Sequence, residues 1–409
     1  MIYPTFDMQK IATLPLNYQT KNYSNSFYSK IEAISEEIWN DLDCEKNSYF
    51  HRDFLKSMEK NHPEIQFYYH ILFDIHHKAC AFFTFQIIDF EINSIKNNFE
   101  LFIKKIQKIA SKIPFFPSSR PLKILIVGNA FVSGEHGFFI KDSFDKRAVL
   151  KAFSKAILQF TTTQNQLKID AILCKDFKNE SLAITSVFKE YQFKQFSVEP
   201  NMVLRINPNW KNFDDYLAAL KTKFRVKAKK ALQQSADLKT VPITSENCEE
   251  QLLKMKDLYQ KVSSNAGFNL ANFNVETYKD LKRAFGENYL IQSYWKEDKM
   301  VGFLSGMIAN HSLDAHFVGI DYLLNKQYAI YQRMLYDYIK IGIDKNITIL
   351  NFGRTASEIK SSVGAIPQDL TIYFRHKKRI TNRILHLFLQ RVQPTAFQQK
   401  FPFKDLQNV

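Results

Sequence analysis

The order of predicted elements repeats once along this 409-residue chain, at a spacing of about 190 residues, and a period that long points to a duplicated domain, not a solenoid. In the first copy, aromatic and β-branched runs flank His76, His77 and Lys78 within residues 66–90, which predicts a β-hairpin. Phe99, Phe102, Ile103, Ile106 and Ile109 recur at steps of three and four against a lysine-rich face, so 97–112 reads as an amphipathic helix. A short apolar strand at 122–129 runs into a glycine-containing loop at 130–140, and a helix follows over 143–164. A strand at 168–177, a helix near 180–192 and a strand at 197–206 complete the copy. The second copy has leading helices around 213–236 and 247–285, then a hairpin at 289–309 and a strand at 313–321. A helix at 327–344, a strand at 347–353, a short helix near 357–363 and a strand at 369–375 close it.

The chain therefore divides into an N-terminal segment (1–45) that reads as a cap or arm, two α/β domains (46–208 and 209–378) and a C-terminal tail (379–409). The length suits two domains of roughly 150–200 residues. With 14% aromatic residues and only 11 Gly and 12 Pro, disordered, collagen-like and loop-rich scaffolds are excluded. Two mixed sheets side by side would leave a cleft between the domains, where ligands commonly bind, and the active site is expected there.

Cys44, Cys80, Cys174 and Cys248 lie far apart with no histidine at metal-ligand spacing, so they read as buried free thiols in a reducing cytoplasm, and no metal is expected. No run of about 18 apolar residues marks a membrane span. The balance of 56 Lys and Arg against 41 Asp and Glu, a net +15, favours anionic partners: phosphates, nucleic acid or an acidic lipid surface.

The segments YLAALKTKFRVKAKKAL (216–232) and FGRTASEIKSSVGAIP (352–367) look like the basic helix and the strand-to-Lys-to-Gly segment of FemAB-like bacterial acyltransferases. The repeated element order over residues 60–375 resembles two tandem GNAT (acetyltransferase) domains. The resemblance implies an α/β fold of two GNAT-like domains with mixed sheets flanked by helices. It also implies an enzyme in which an uncharged amine attacks an activated carbonyl directly, with no covalent intermediate and no metal. The donor it implies is acyl-CoA or acetyl-CoA, and the acceptor an amine on a small molecule or on a lipid-linked, cell-envelope precursor. GNAT enzymes seat the coenzyme A pyrophosphate on a glycine-containing loop at a helix N-terminus. The second copy offers IDYLLNKQYAIYQRML there, without glycine, whereas the first has Gly128, Gly134 and Gly137. That departure keeps open a tRNA-dependent aminoacyl transfer of FemAB type, and also a scaffold that has lost its chemistry.

The reaction needs a base, donors for a tetrahedral oxyanion and a route for protonating the leaving group. Glu358 is the candidate base, with Lys360 and Arg354 as donors to an anion and Thr355 as the cap of their helix; an ion pair between Arg354 and Glu358, four residues apart, is the competing reading. Gly353 and Gly364 suit tight turns or close substrate approach. Strand alternation places Asp314, His316 and Val318 on one face, and His316 is a second candidate base, against a satisfied structural histidine. Gly134, Glu135, His136 and Gly137 form a loop able to bind an anion through its N–H groups, or a plain turn.

Arg225 lies in the helix 213–236 with Lys221, Lys223, Lys227, Lys229 and Lys230, a cationic face for tRNA, coenzyme A or lipid phosphates, or simply a solvated one. The tail carries RHKKR (375–379), Arg383 and Arg391 between Ile380, Ile384, Leu387 and Phe388, a basic amphipathic pattern. It suits either peripheral docking on the inner, anionic face of a membrane or packing on the second domain.

Overall fold

The computed structural model describes residues 16–20, 22–90, 120–265, 269–389 and 394–404. The helix expected at 97–112 lies outside them. The strands are β1 (Leu16–Thr20), β2 (Tyr23–Tyr28), β3 (Gln66–Phe73), β4 (Ala79–Phe90), β5 (Leu122–Val127), β6 (Phe138–Ile140) and β7 (Ala171–Phe177). They continue as β8 (Lys194–Arg205), β9 (Lys239–Pro242), β10 (Tyr289–Lys296), β11 (Lys299–Ala309), β12 (Ser312–Ile320), β13 (Ile349–Asn351) and β14 (Ile366–His376). Both copies follow the repeated order of elements, and the two sheets expected from the repeat are joined edge to edge as β1-β2-β3-β4-β5-β7-β14-β8-β13-β12-β11-β10-β9.

The join is an exchange of last strands. β8, which ends the first copy, pairs with β13 of the second (Val203 opposite Asn351), and β14, which ends the second, pairs with β7 of the first (His376 opposite Ala171). β8 and β14 also pair with each other from Ile366 opposite Val203 to Phe374 opposite Lys194. Pairing is antiparallel except for β5 with β7 and β12 with β13, the parallel pair at the middle of each copy.

Alternation along β4 divides the core. Phe82 and Ile88 face one apolar cluster while Phe83, Phe85 and Ile87 face another. The second is closed by the helix Lys146–Thr163, whose N-cap Asp145 accepts from the N–H groups of Arg147 and Ala148. Its Leu150, Phe153, Ile157 and Phe160 recur at helical spacing, and Phe153 stacks on Phe83 at 3.9 Å. The first cluster is shared by both copies: Trp39, Phe50 and Phe54 belong to the same core as Met255, Tyr278 and Phe303. Burying one apolar face jointly makes the copies mutually dependent.

Four local expectations need correction. Residues 213–236 form two helices, Phe213–Ala219 and Thr222–Gln234, because Leu220 is extended and bridges Phe403. The segment read as a cap or arm holds β2, which pairs with β3, and the helix Glu36–Leu42. Thr355 caps nothing: the helix Ser357–Ser361 starts after Ala356, which is left-handed with φ 50° and makes no side-chain cap. Among the described residues of the tail, Arg379–Leu389 is helical, and residues 394–404 return along the second copy, where Phe403 is buried against Trp210 and Tyr216. Among the described residues no helix is long and apolar enough to cross a membrane.

Candidate active site

β12 lies between β11 and β13, so its middle should be covered on both sides. Instead, residues 314–318 are all only half-buried, while residues 300–307 of its neighbour β11 are fully buried. The cause is short pairing. β13 accompanies β12 only from Ser312 opposite Ile349 to Asp314 opposite Asn351, while β12 continues to Ile320 beside β11. A cleft opens where the parallel strands part, the kind of place where α/β sheets hold ligands.

Asp314 sits at the point of divergence. Burial raises its carboxyl above the ordinary aspartate range, against the hydrogen bonds from Tyr49 and Asn351 and the charge of Lys178. Tyr49 Oη donates to Asp314 Oδ2 at 2.8 Å and lies 2.8 Å from His316 Nε2. A phenol has one proton, so with Asp314 ionised His316 Nε2–H donates to Tyr49, and His316 Nδ1 accepts from Tyr289 Oη at 3.2 Å. Both imidazole nitrogens are thus engaged, and burial pushes His316 down to about 3. It is held neutral between the two tyrosine hydroxyls.

The first copy supplies the opposite wall. The ring of His136 lies 3.9 Å from that of Tyr49, its Nε2 is held by Ser133 O at 3.2 Å, and burial lowers it to about 3. Glu135 Oε1 accepts from Lys178 N at 2.8 Å, and Gly134 N donates to Asp176 Oδ2 at 3.2 Å. Asp176, fully buried, pairs with Lys175 on one side and with Arg354 of the second copy on the other. Arg354, lowered to about 10 by burial, keeps an Nε without a hydrogen-bond partner. Gly353, at φ 72°, has room for a side chain, the nearest atom to an added Cβ being Ala315 O at 4.0 Å.

Of the residues singled out in the sequence, His316, Arg354, Gly353, Gly134, Glu135 and His136 converge here. Lys360 stands one layer behind, its ammonium donating to the carbonyls of Phe352, Gly353 and Arg354 at 2.7, 3.2 and 2.6 Å and pushed down to about 7 by burial. Gly137 packs against the Val127 carbonyl, where a Cβ would stand 3.0 Å away. Three candidates lie elsewhere. Glu358 is 57% exposed and pairs with Lys400, not Arg354, because Arg354 precedes the helix. Gly364 makes room for Phe403, whose ring would stand 2.4 Å from an added Cβ. Arg225 is half-buried on the helix Thr222–Gln234. Sequence reasoning missed Tyr49, Tyr289, Asp176 and Lys175 altogether, and treated Asp314 only as a neighbour of His316; no local signal links Tyr49 to a residue 265 positions away.

The anion-binding loop is largely self-satisfied. Ala130 N donates to Gln86, and Phe131 N and Val132 N to Asn129. At the helix starts that follow β5 and β12, Asp145 and Asp321 already accept from the leading N–H groups. A carboxylate there occupies the donors a pyrophosphate would use and repels its charge. All four cysteines are free and buried, and among the described residues no three His, Cys, Asp or Glu are grouped to hold a metal.

No family model matches the sequence, and no curated protein matches it. Among solved structures the chain is similar to FemX, with a TM-score of 0.48 and 12% identity over 82% of this chain and 93% of that one. It is similar to L-PGS from Bacillus licheniformis, with a TM-score of 0.49 and 10% identity over 86% and 98% of the two chains. A tandem GNAT protein from the clavulanic acid biosynthesis pathway gives a TM-score of 0.46 and 6% identity over 80% and 88%.

Proposed function

We propose that the protein transfers an acyl or aminoacyl group from an activated ester to an amine in the cleft between β12 and β13. The observation that carries this reading is Asp314, a half-buried carboxyl held by Tyr49 and with a raised pKa, at the point where β12 and β13 part. Such a group is better matched to removing a proton near neutral pH than an exposed carboxylate is. Asp314 takes the proton from the ammonium nucleophile, the amine nitrogen bonds to the donor carbonyl carbon, and the bond from that carbon to the leaving oxygen or sulfur breaks. That proton passes from Asp314 to the leaving group, and the nitrogen gives up its second proton to solvent as the amide forms. The charge of the Arg354 guanidinium stabilises the oxyanion, Tyr49 and His316 orient the base, and Lys360 positions the 352–354 carbonyls. Units 46–208 and 209–378 act together, because Tyr49 and His136 come from one and Asp314, His316 and Arg354 from the other.

The aspartate-capped helix starts favour a donor carried on tRNA over acyl-CoA. The acceptor is an amine on a small molecule or a lipid-linked envelope precursor, reached from the cytoplasm or by peripheral contact with the inner membrane surface. The test is Asp314→Asn in the full chain, assayed with charged tRNA, acetyl-CoA and long-chain acyl-CoA against a panel of amines. The variant should keep donor-induced thermal stabilisation and lose transfer by about 10²–10⁴-fold. Wild-type turnover in the variant overturns the assignment. Stabilisation by an acyl-CoA alone returns the donor to coenzyme A, and no response to any donor leaves the scaffold reading.

A further inference from the structure

The helix Thr222–Gln234 stands out for charge without counter-charge. From Tyr216 to Ala236 there is no acidic residue. Lys223, Lys227, Lys229 and Lys230 are exposed, and among the described residues none of them has an ion-pair partner. Elsewhere on the surface lysines commonly pair: Lys146 with Asp142, Lys261 with Asp257, Lys279 with Glu249, Lys340 with Asp344. Helical geometry puts Lys223, Lys227 and Lys230 on one ridge, about 10 Å long at 1.5 Å per residue.

The placement of this ridge matters as much as its charge. The helix is anchored by Ala228 and Ala231, and packs against Ile330–Asp344 and Tyr322–Tyr328, the two helices that leave the end of β12. Arg333 ties its end down by donating to Ser235 O at 3.3 Å. The helix thus belongs to the apolar cluster that holds Leu313 and Ile320 of β12, whereas Tyr49 and Tyr289, the partners of His316, belong to the cluster on the other face of the sheet. The helix buries its apolar stripe in the core of the second copy, so only Val226 projects from the basic face. A surface made for insertion among lipids would show an apolar stripe beside its lysines. Here Val226 on the helix and Leu323 on its neighbour are exposed singly and form no continuous apolar stripe beside the lysines, so cations dominate the face, the complement of a phosphodiester backbone.

We infer that the helix Thr222–Gln234 is the docking surface for the phosphate backbone of the RNA that carries the donor ester, with Lys223, Lys227 and Lys230 as its principal contacts. The inference rests on the RNA-borne donor proposed above. Docking there anchors the RNA through contacts that are independent of the base sequence.

The experiment is equilibrium binding of uncharged tRNA to the full chain across a salt series. It compares the wild type with a triple variant, Lys223→Gln, Lys227→Gln and Lys230→Gln. A control triple replaces the exposed lysines Lys155, Lys168 and Lys189 of the first copy by Gln. The helix triple should weaken binding and flatten the slope of log affinity against log salt by about two to three units, one phosphate contact for each lysine. The control should leave the slope unchanged. Equal slopes in the two triples overturn the inference. So does a helix triple that binds tRNA normally while losing affinity for vesicles containing phosphatidylglycerol, which makes the ridge a lipid contact. Because uncharged RNA is used, slope loss in the helix triple together with no transfer from charged tRNA supports the docking surface and overturns only the donor reading.

Discussion

Each copy has one pair of parallel strands that part, and the two openings have opposite fates. Beyond Val127 opposite Cys174, the gap beside β7 is filled by the first copy's own loop. Lys175 Nζ reaches the carbonyls of Asn129 and Val132 at 2.7 and 2.8 Å, and Asp176 takes the N–H of Gly134. Beyond Asp314 opposite Asn351, the gap beside β12 stays half-open and is lined by Tyr49, His316 and Arg354. The same architecture thus yields a plugged opening and an open one. Asp176 joins them, since it pairs with Lys175 of the plug and with Arg354 of the cleft wall. One copy thus forms a wall of the other's opening.

The most severe way to break this arrangement is Asp176→Ala. It leaves two buried cations facing each other without their carboxylate, and removing one partner of a buried pair costs about 3–5 kcal/mol. Urea unfolding of the variant should show a loss in that range, and a loss under about 1 kcal/mol would mean that the plug and the wall are not held by charge.

The buried cation behind the cleft differs from the one in the plug in having only carbonyl partners. Burial holds Lys360 at about 7 when folded, against about 10.4 in an unfolded chain. Between those values the unfolded chain binds the extra proton, so this group makes stability rise with pH from 7 towards 10, by about 1.4 kcal/mol per unit. Lys360→Met lacks the contribution. Denaturant titrations between pH 7.5 and 9.5 should show wild-type stability gaining on the variant, whereas parallel curves would show that the three carbonyls keep Lys360 charged.

The smallest effects separate the two openings sterically. In the plug, a Cβ on Gly134 would stand 2.5 Å from His136 Nε2 as well as meeting a φ of 128°. In the cleft, Gly353 has φ 72° and open space. Gly353→Ala should therefore cost only the backbone strain, about 1 kcal/mol, and Gly134→Ala distinctly more. Equal shifts in thermal midpoint would mean that both loops relax alike.

Much of the local structure was legible. The hairpins β3–β4 and β10–β11 follow from aromatic and β-branched runs, and the helix Lys146–Thr163 from apolar residues at steps of three and four. The common face of Asp314 and His316 followed from alternation, and both touch Tyr49. Glu358 was misjudged because its spacing from Arg354 matters only if both are helical, and the helix starts at Ser357. Lys360 was read as a donor to a ligand anion, but its burial turns it onto the backbone. Tyr49 was invisible because it lies in a short helical turn of the segment with no periodic signal between the first strands.

By itself, the sequence determined most elements between residues 60 and 375, their repeated order and the basic character of the segment 213–236, because side-chain periodicity and charge are local properties of the chain. Only the tertiary structure decided that β8 and β14 change places, that one parallel gap is filled and the other open, and that Tyr49 meets Asp314. Those outcomes depend on which strand edges and apolar faces find each other across hundreds of residues, and a strand's alternation names its buried face without naming its neighbour.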